Sequence, residues 1–271
     1  MAEAAGFFRA KKRLGQNFLA DRNVLLEIVK RASIEGEDVV LEVGPGRGVL
    51  TRELLSEGCV RLYAVELDRR LASELEPLCE EEPRLHLIWG DAMKVDYGAL
   101  SPFPNKIVAN IPYNITTPLI WKMLEFAPRG LTYHLYMVQK EAADRLLAPR
   151  DTKDRYPLGV TLEAMGTVTL VRHVPASCFR PMPRVESALV EITLVENFHL
   201  MHNTLWSDLL HGAFRQRRKT LVNNLKGFAG IEDWRPVLEE VQIEEKIRAE
   251  DLSTEEWLKL YSRLPGDRDI F

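Results

Sequence analysis

Four consecutive residues, Asn110-Ile111-Pro112-Tyr113, place an amide, a proline-fixed carbonyl and an aromatic ring side by side. They close the apolar run Lys106-Ile107-Val108-Ala109, which reads as a buried strand that Pro112 ends, having no N–H to give the ladder. At a strand's carboxyl edge this set suits a flat amine. The Asn110 side chain and the following backbone carbonyl accept its two hydrogens, and Tyr113 lies on the ring. A plain strand-to-turn exit, with Tyr113 as a packing residue, fits the tetrapeptide alone equally well.

Three further groups stand at the ends of earlier strand-like runs. Gly44, Gly46 and Gly48 follow Val39-Val40-Leu41-Glu42-Val43, Glu66 follows Arg61–Val65, and Asp91 follows Leu85–Trp89. Glycines after a strand let the chain turn sharply and let a ligand approach the main chain. A dinucleotide fingerprint needs a small residue where Val49 stands, and no GK[ST] phosphate loop is present. The closer GxGxG, with Glu42 just before it, suits a cofactor without a pyrophosphate, such as S-adenosylmethionine. Glu66 can accept from a ribose diol and Asp91 from an adenine amino group. Each acid alone is as well read as a cap or a surface charge; four successive strand ends together favour a nucleoside cofactor.

Beside such a methyl donor, Asn110–Tyr113 acquires a role. The exocyclic nitrogen of adenine is a weak nucleophile because its lone pair is delocalised into the ring. Two acceptors on its hydrogens favour the pyramidal form with an exposed lone pair, which stabilises charge developing in the transition state. Tyr113 would hold nitrogen, methyl and sulfur in line. A base drawn out of its stack asks for a second aromatic wall, and Phe179 on the Pro-flanked connection Phe179–Arg184 is the candidate.

The elements that position these residues alternate. A helix is expected from about Arg22 to Arg31 behind an Asp21 cap, then strand 39–43, a helix from Val49 to Glu57, strand 61–65, a helix from Asp68, strand 85–89 and strand 106–109. Thr116 and Pro118 open a helix to about Phe126; strand 131–138 and a helix from Glu141 to Leu147 follow. This βαβ rhythm predicts an α/β fold on a mostly parallel sheet. Arg150–Pro157 reads as a charged loop. Runs 167–174 and 188–195 have no long helix between them, so that end of the sheet is expected to be antiparallel. Helical periodicity then takes over at 205–214, 217–225, 234–240 and 254–264. The boundary is placed at 197, giving domains 1–197 and 198–271.

The 271 residues carry a net charge of −4, which hides basic clusters at Arg9–Arg13, Arg145–Arg155 and Arg215–Lys219. Binding of a polyanion follows such local patches and not the sum. Arg217, Arg218 and Lys219, with Lys11, Lys12 and Arg13, are the candidate phosphate contacts; each cluster taken singly also reads as a solvated face. No apolar run approaches the ~20 residues of a membrane helix, and the basic N-terminus has no signal-peptide core. The three cysteines, Cys59, Cys79 and Cys178, read as reduced thiols of a cytoplasmic protein, with no metal site.

The stretches Leu14–Leu19, Glu42–Gly48, Asn110–Ile115, Phe179–Ser187 and Arg215–Thr220, in this order, resemble the rRNA adenine N6-dimethyltransferase family, most closely its bacterial small-subunit (16S) branch. The resemblance implies a Rossmann-like S-adenosylmethionine-dependent methyltransferase sheet with a small all-helical C-terminal domain. It implies dimethylation of two adjacent adenosines in a hairpin loop near the 3′ end of 16S rRNA, on a nearly assembled small subunit and with a role in its biogenesis; the chain is expected to act as a monomer. By motif it places cofactor contacts on Asn17, Leu19, Gly44, Glu66, Asp91 and Asn110, and the target adenine on Asn110, Pro112, Tyr113 and Phe179. Arg47 departs from the usual apolar residue of the glycine loop. Two other readings compete: a non-catalytic RNA-binding assembly or transcription factor on the same fold, and a DNA adenine methyltransferase, against which Ile111 speaks.

Overall fold

The computed structural model describes residues 16–265. Its main sheet has seven strands: β2 (Val39–Val43), β3 (Arg61–Glu66), β4 (Leu85–Trp89), β5 (Lys106–Asn110), β6 (Tyr133–Gln139), β7 (Gly166–Val174) and β9 (Ser187–Leu194). Their order is β4-β3-β2-β5-β6-β9-β7. The first five pair in parallel, whereas β9 lies antiparallel between β6 and β7, as the missing crossover helix requires. The order reverses between β2 and β5, which is where an open α/β sheet leaves a crevice beyond its carboxyl ends.

Alternation along the strands splits the core in two. Val39, Leu41 and Val43 point to one face with Tyr136 and Val138, while Val40 points to the other with Val108, Leu135 and Met137. Helices α1 (Arg22–Ala32) and α2 (Val49–Ser56) cover the second face with Val24, Ile28, Leu50 and Leu54; α3 (Ala72–Glu81) adds Leu78. Asp21 caps α1, its carboxylate accepting from the N–H groups of Asn23 and Val24. The first face carries α4 (Thr116–Leu124), α5 (Lys140–Leu146) and α6 (Pro157–Met165).

Helix α6 fills the stretch between the expected loop 150–157 and the expected strand 167–174, where the sequence marks no element. Pro157 opens it at a position where no N–H is needed, and it is buried on nearly every side, so it has no amphipathic stripe to betray it. The helices beyond residue 197 are α7 (Leu205–Ala213), α8 (Leu221–Leu225), α9 (Arg235–Glu240) and α10 (Thr254–Tyr261). They share one apolar cluster with α4 and α6: Trp206 donates through Nε1 to Thr161 Oγ1 at 2.9 Å and meets Tyr261 edge-on. The expected helix from Arg217 begins only at Leu221. Lys219 closes a turn onto the Gln216 carbonyl (2.9 Å), and Asn224 Nδ2 ties that turn to the end of α7 through the carbonyls of Ala213 and Gln216. Arg215–Lys219 is therefore an exposed basic turn.

No described helix is long and apolar enough to cross a membrane. The three cysteines are unpaired, with Cys59 and Cys178 buried.

Candidate cofactor and adenine site

The crevice at the reversal is built by the strand ends. After β2 the chain passes Gly44, Gly46 and Gly48, all at positive φ, and Gly48 caps α2. Gly46 is required on two counts: φ is +58°, and a Cβ there would stand 2.8 Å from the Phe18 ring. Arg47 fits this loop because its side chain leaves it, lying over the Phe18 ring and 3.7 Å from Glu74.

Glu66, the last residue of β3, holds the loop in place. Its Oε2 accepts from Gly46 N (3.1 Å) and its Oε1 from Asp68 N (2.8 Å). Burial pushes this carboxyl up, with the hydrogen bonds from Asp68 and Gly46 opposing. Each oxygen keeps a lone pair for a diol.

Glu42 is the more unusual acid. The parity of β2 turns it toward α2, it is 1% exposed, and its Oε2 has no hydrogen-bond partner among the described residues. Burial pushes its pKa up to about 8, with the nearby Thr51 hydroxyl opposing and the Glu66 charge adding.

Asn110 ends β5. Its Nδ2 donates to the Asn17 carbonyl (3.1 Å), so the amide is turned with Oδ1 as the end left to accept from a ligand. The Asn110 carbonyl and Pro112 face Gly44, at 3.7 and 3.8 Å from where its Cβ would be. Tyr113 follows, half-buried, with its Oη 2.7 Å from Ser187 Oγ. Burial raises its phenol, the Ser187 bond opposing, so the ring is neutral and is no base at ordinary pH.

Gly44, Gly46, Glu66, Asn110, Pro112 and Tyr113 line a cleft together with Gln16, Asn17 and Phe18. An adjoining hollow of about 410 Å³ reaches Leu19, Glu42 and Arg47. Of the candidates, Asn17, Gly44, Glu66, Asn110, Pro112 and Tyr113 line the cleft, and Leu19 the hollow beside it. Asp91 stands at the end of β4 outside both linings, its Oδ1 accepting from Met93 N. Phe179 is likewise outside them. It starts the two-residue strand β8 (Phe179–Arg180), which pairs with β1 (Phe18–Leu19), and its ring is 0% exposed among the side chains of the second core.

Arg217, Arg218 and Lys219 are exposed, and Arg217 lines a hollow of about 540 Å³ with Arg145 and Lys153. Arg155, from the same loop, is instead a buried strut to the Ala148 carbonyl, Glu163 and Thr254. Lys11, Lys12 and Arg13 lie outside the described residues.

Sequence reasoning passed over three contributors. Phe18 lines both hollows, Gln16 Nε2 binds Asp68 (2.9 Å), and Ser187 anchors Tyr113. An aromatic between Asn17 and Leu19 was a usable signal for the first; the other two are long-range pairings with no local mark.

The donor set fits a cationic nucleoside cofactor. Acceptors dominate, with Glu66 and Asn110 in the cleft and the orphaned Glu42 oxygen beside it, and the glycine backbone leaves room for close approach. A family model described as ribosomal RNA adenine dimethylase matches residues 7–265. The chain is 40% identical over 259 residues to the ribosomal RNA small subunit methyltransferase A of Acaryochloris marina, covering 93% of this chain and 96% of that one. Among solved structures, a dimethyladenosine transferase from Plasmodium falciparum superposes with a TM-score of 0.78 at 29% identity, over 90% of this chain and 95% of that one. The 23S rRNA methyltransferase ErmE gives 0.68 at 25% identity, over 92% and 99%. The acceptor-lined clamp beside the glycine loop thus sits in a chain matched along almost its whole length, and the chain belongs to the ribosomal RNA adenine dimethylase family.

Proposed function

We infer that this chain transfers methyl groups from S-adenosylmethionine to N6 of adenosine in ribosomal RNA. In this reading the target is a pair of adjacent adenosines in a hairpin loop near the 3′ end of 16S rRNA, each dimethylated on the small subunit during its biogenesis. The enzyme acts in the cytoplasm as a monomer. The observation that carries the reading is the Asn110 amide, oriented by Asn17 and set between the glycine loop and the Tyr113 ring.

When bound, S-adenosylmethionine supplies an electrophilic methyl group on a sulfonium centre. Glu66 would hold its ribose, Asp91 its base, and Asn17, Leu19 and Gly44 its remaining length, with Glu42 accepting from its ammonium. Asn110 Oδ1 and the Pro112 carbonyl accept the two N6 hydrogens of the target, which keeps the nitrogen lone pair directed at the cofactor side. Tyr113 stacks on the base and fixes the line of attack. No side chain needs to remove the proton, because the cationic product amine is acidic enough to lose it to water. Phe179 is the proposed second wall; since its ring is covered, that role asks the β1–β8 ribbon to shift when the base enters. Because the clamp holds its amine by acceptors and not by a fitted donor, it also admits a monomethylated nitrogen, as a second transfer requires.

Residues 198–271 form the proposed RNA- and subunit-binding part. Arg217, Arg218 and Lys219 on the exposed turn, together with Lys11, Lys12 and Arg13, neutralise phosphates. Selection of the hairpin then rests on shape and splayed bases, as is usual for RNA.

The reading is tested with methyl-labelled cofactor and unmethylated small subunits. Label should enter small-subunit rRNA as N6-dimethyladenosine; incorporation only into large subunits or DNA rejects it. If Tyr113→Ala abolishes transfer but keeps the full biological effect, the chain works as a binding factor instead.

A further inference from the structure

The Tyr113–Ser187 pair joins residues 74 positions apart, and the chemistry above makes no use of the serine. Ser187 is 0% exposed and opens β9, where its backbone is paired on both sides, to Gln139 of β6 and to Val174 of β7. The neighbouring Glu186 carbonyl accepts from Lys140 N at 3.0 Å. Ser187 is therefore among the most firmly held points near the cleft.

Tyr113 is held differently. Its backbone sits in a single turn closed by Ile115 N on the Pro112 carbonyl (3.0 Å), and the residue is only partly buried. A backbone turn fixes where the Cα stands but leaves the ring two torsions. The 2.7 Å bond at the far end of the ring removes that freedom.

We propose that Ser187 is a positioning residue for methyl transfer: its hydroxyl sets the plane of the Tyr113 ring against the target adenine. The same bond ties that plane to the 179–187 connection, which carries Phe179 at its other end. Both aromatic walls of the proposed adenine slot are thereby referred to one segment of chain. The proposal rests on the reading of Asn110–Tyr113 as the adenine clamp.

The competing explanation is purely structural: a buried serine hydroxyl needs a partner, and Tyr113 happens to supply it. The two separate in a double-mutant cycle of Tyr113→Phe, Ser187→Ala and the pair, assayed on unmethylated small subunits. Cofactor affinity is followed by calorimetry and folding by thermal melting. If Ser187 acts through Tyr113, each single variant lowers kcat about ten-fold, and the double variant is no slower than either single. Cofactor Kd stays within about two-fold and monomethyladenosine accumulates, because the second transfer depends on the same alignment.

A Ser187→Ala rate equal to wild type overturns the proposal. So does a Ser187→Ala loss that recurs in full in the Tyr113→Phe background, the mark of a structural serine. Should Ser187→Ala fold poorly, Tyr113→Phe decides alone: a wild-type rate there overturns the proposal. A wild-type enzyme inactive on small subunits would instead refute the underlying reading of function.

Discussion

Replacing Glu42 by Gln tests how the cofactor crevice is tuned. Buried beneath α2 with one oxygen unpartnered among the described residues, the Glu42 carboxyl is pushed up to about 8 from an ordinary 4.5. In the unfolded chain it ionises near the ordinary value, so from about pH 5 to pH 7.5 the unfolded state has lost a proton that the folded state keeps. Stability then falls as pH rises, at about 1.36 kcal/mol per pH unit for one group. Over that interval Glu42 removes about 3 kcal/mol from the cofactor-free protein. Glutamine has the same shape and does not titrate. Urea unfolding of both proteins, without cofactor, at half-unit steps from pH 5 to 8 gives the difference directly. The variant should gain on the wild type by about 3 kcal/mol across the interval, levelling off as the folded carboxyl itself ionises near pH 8. Glu66, also raised by burial, titrates in both proteins and largely cancels. Two parallel stability curves would refute the reasoning, because Glu42 would then be ionised in the folded protein despite its burial.

Other perturbations reach the remaining parts of the site. Gly46→Ala forces an L side chain to φ +58° with its Cβ 2.8 Å from Phe18, and should weaken cofactor binding about ten-fold by displacing Phe18; unchanged calorimetric affinity would contradict that. Neutralising Arg217, Arg218 and Lys219 together should reduce the slope of log affinity for small subunits against log salt by about two and leave cofactor affinity alone. An unchanged slope would take the turn out of the RNA interface. Arg155→Leu removes a buried strut to Glu163 and Thr254 and should lower unfolding free energy by about 2 kcal/mol; denaturant midpoints equal to wild type would show that the loop does not depend on it.

Much of this was legible in the chain because local chemistry and global position agree. The β-branched run 39–43 could only be a buried strand, the three glycines could only be a turn, and Pro112 could only end β5. Once the strands alternate with helices, these ends must converge on one edge. What escaped was set by tertiary contact. Helix α6 is apolar nearly all round, so periodicity had nothing to register. The basic run 215–219 has helical composition, yet Asn224 anchors it as a turn from five or more residues away. Arg155 looked like one more surface cation and is a buried strut. Phe179 reads from sequence equally as a second aromatic wall or as a core anchor, and pairing with Leu19 sets its ring inside the core. Ser187 closes one of the stretches that carry the family resemblance, but its pairing with Tyr113, 74 residues away, has no local mark.

The proposed function stands on Asn110 and Tyr113 clamping the amine of an rRNA adenosine beside the methyl donor. Mass mapping of rRNA recovered from unmethylated small subunits, after reaction with the wild-type chain and with Asn110→Ala, tests it most directly. The wild type should place two methyls on each of two adjacent adenosines near the 3′ end of 16S rRNA. With the variant the rate of their appearance should fall by at least about a hundred-fold. Methylation at another position, or full dimethylation at an undiminished rate by Asn110→Ala, would contradict it.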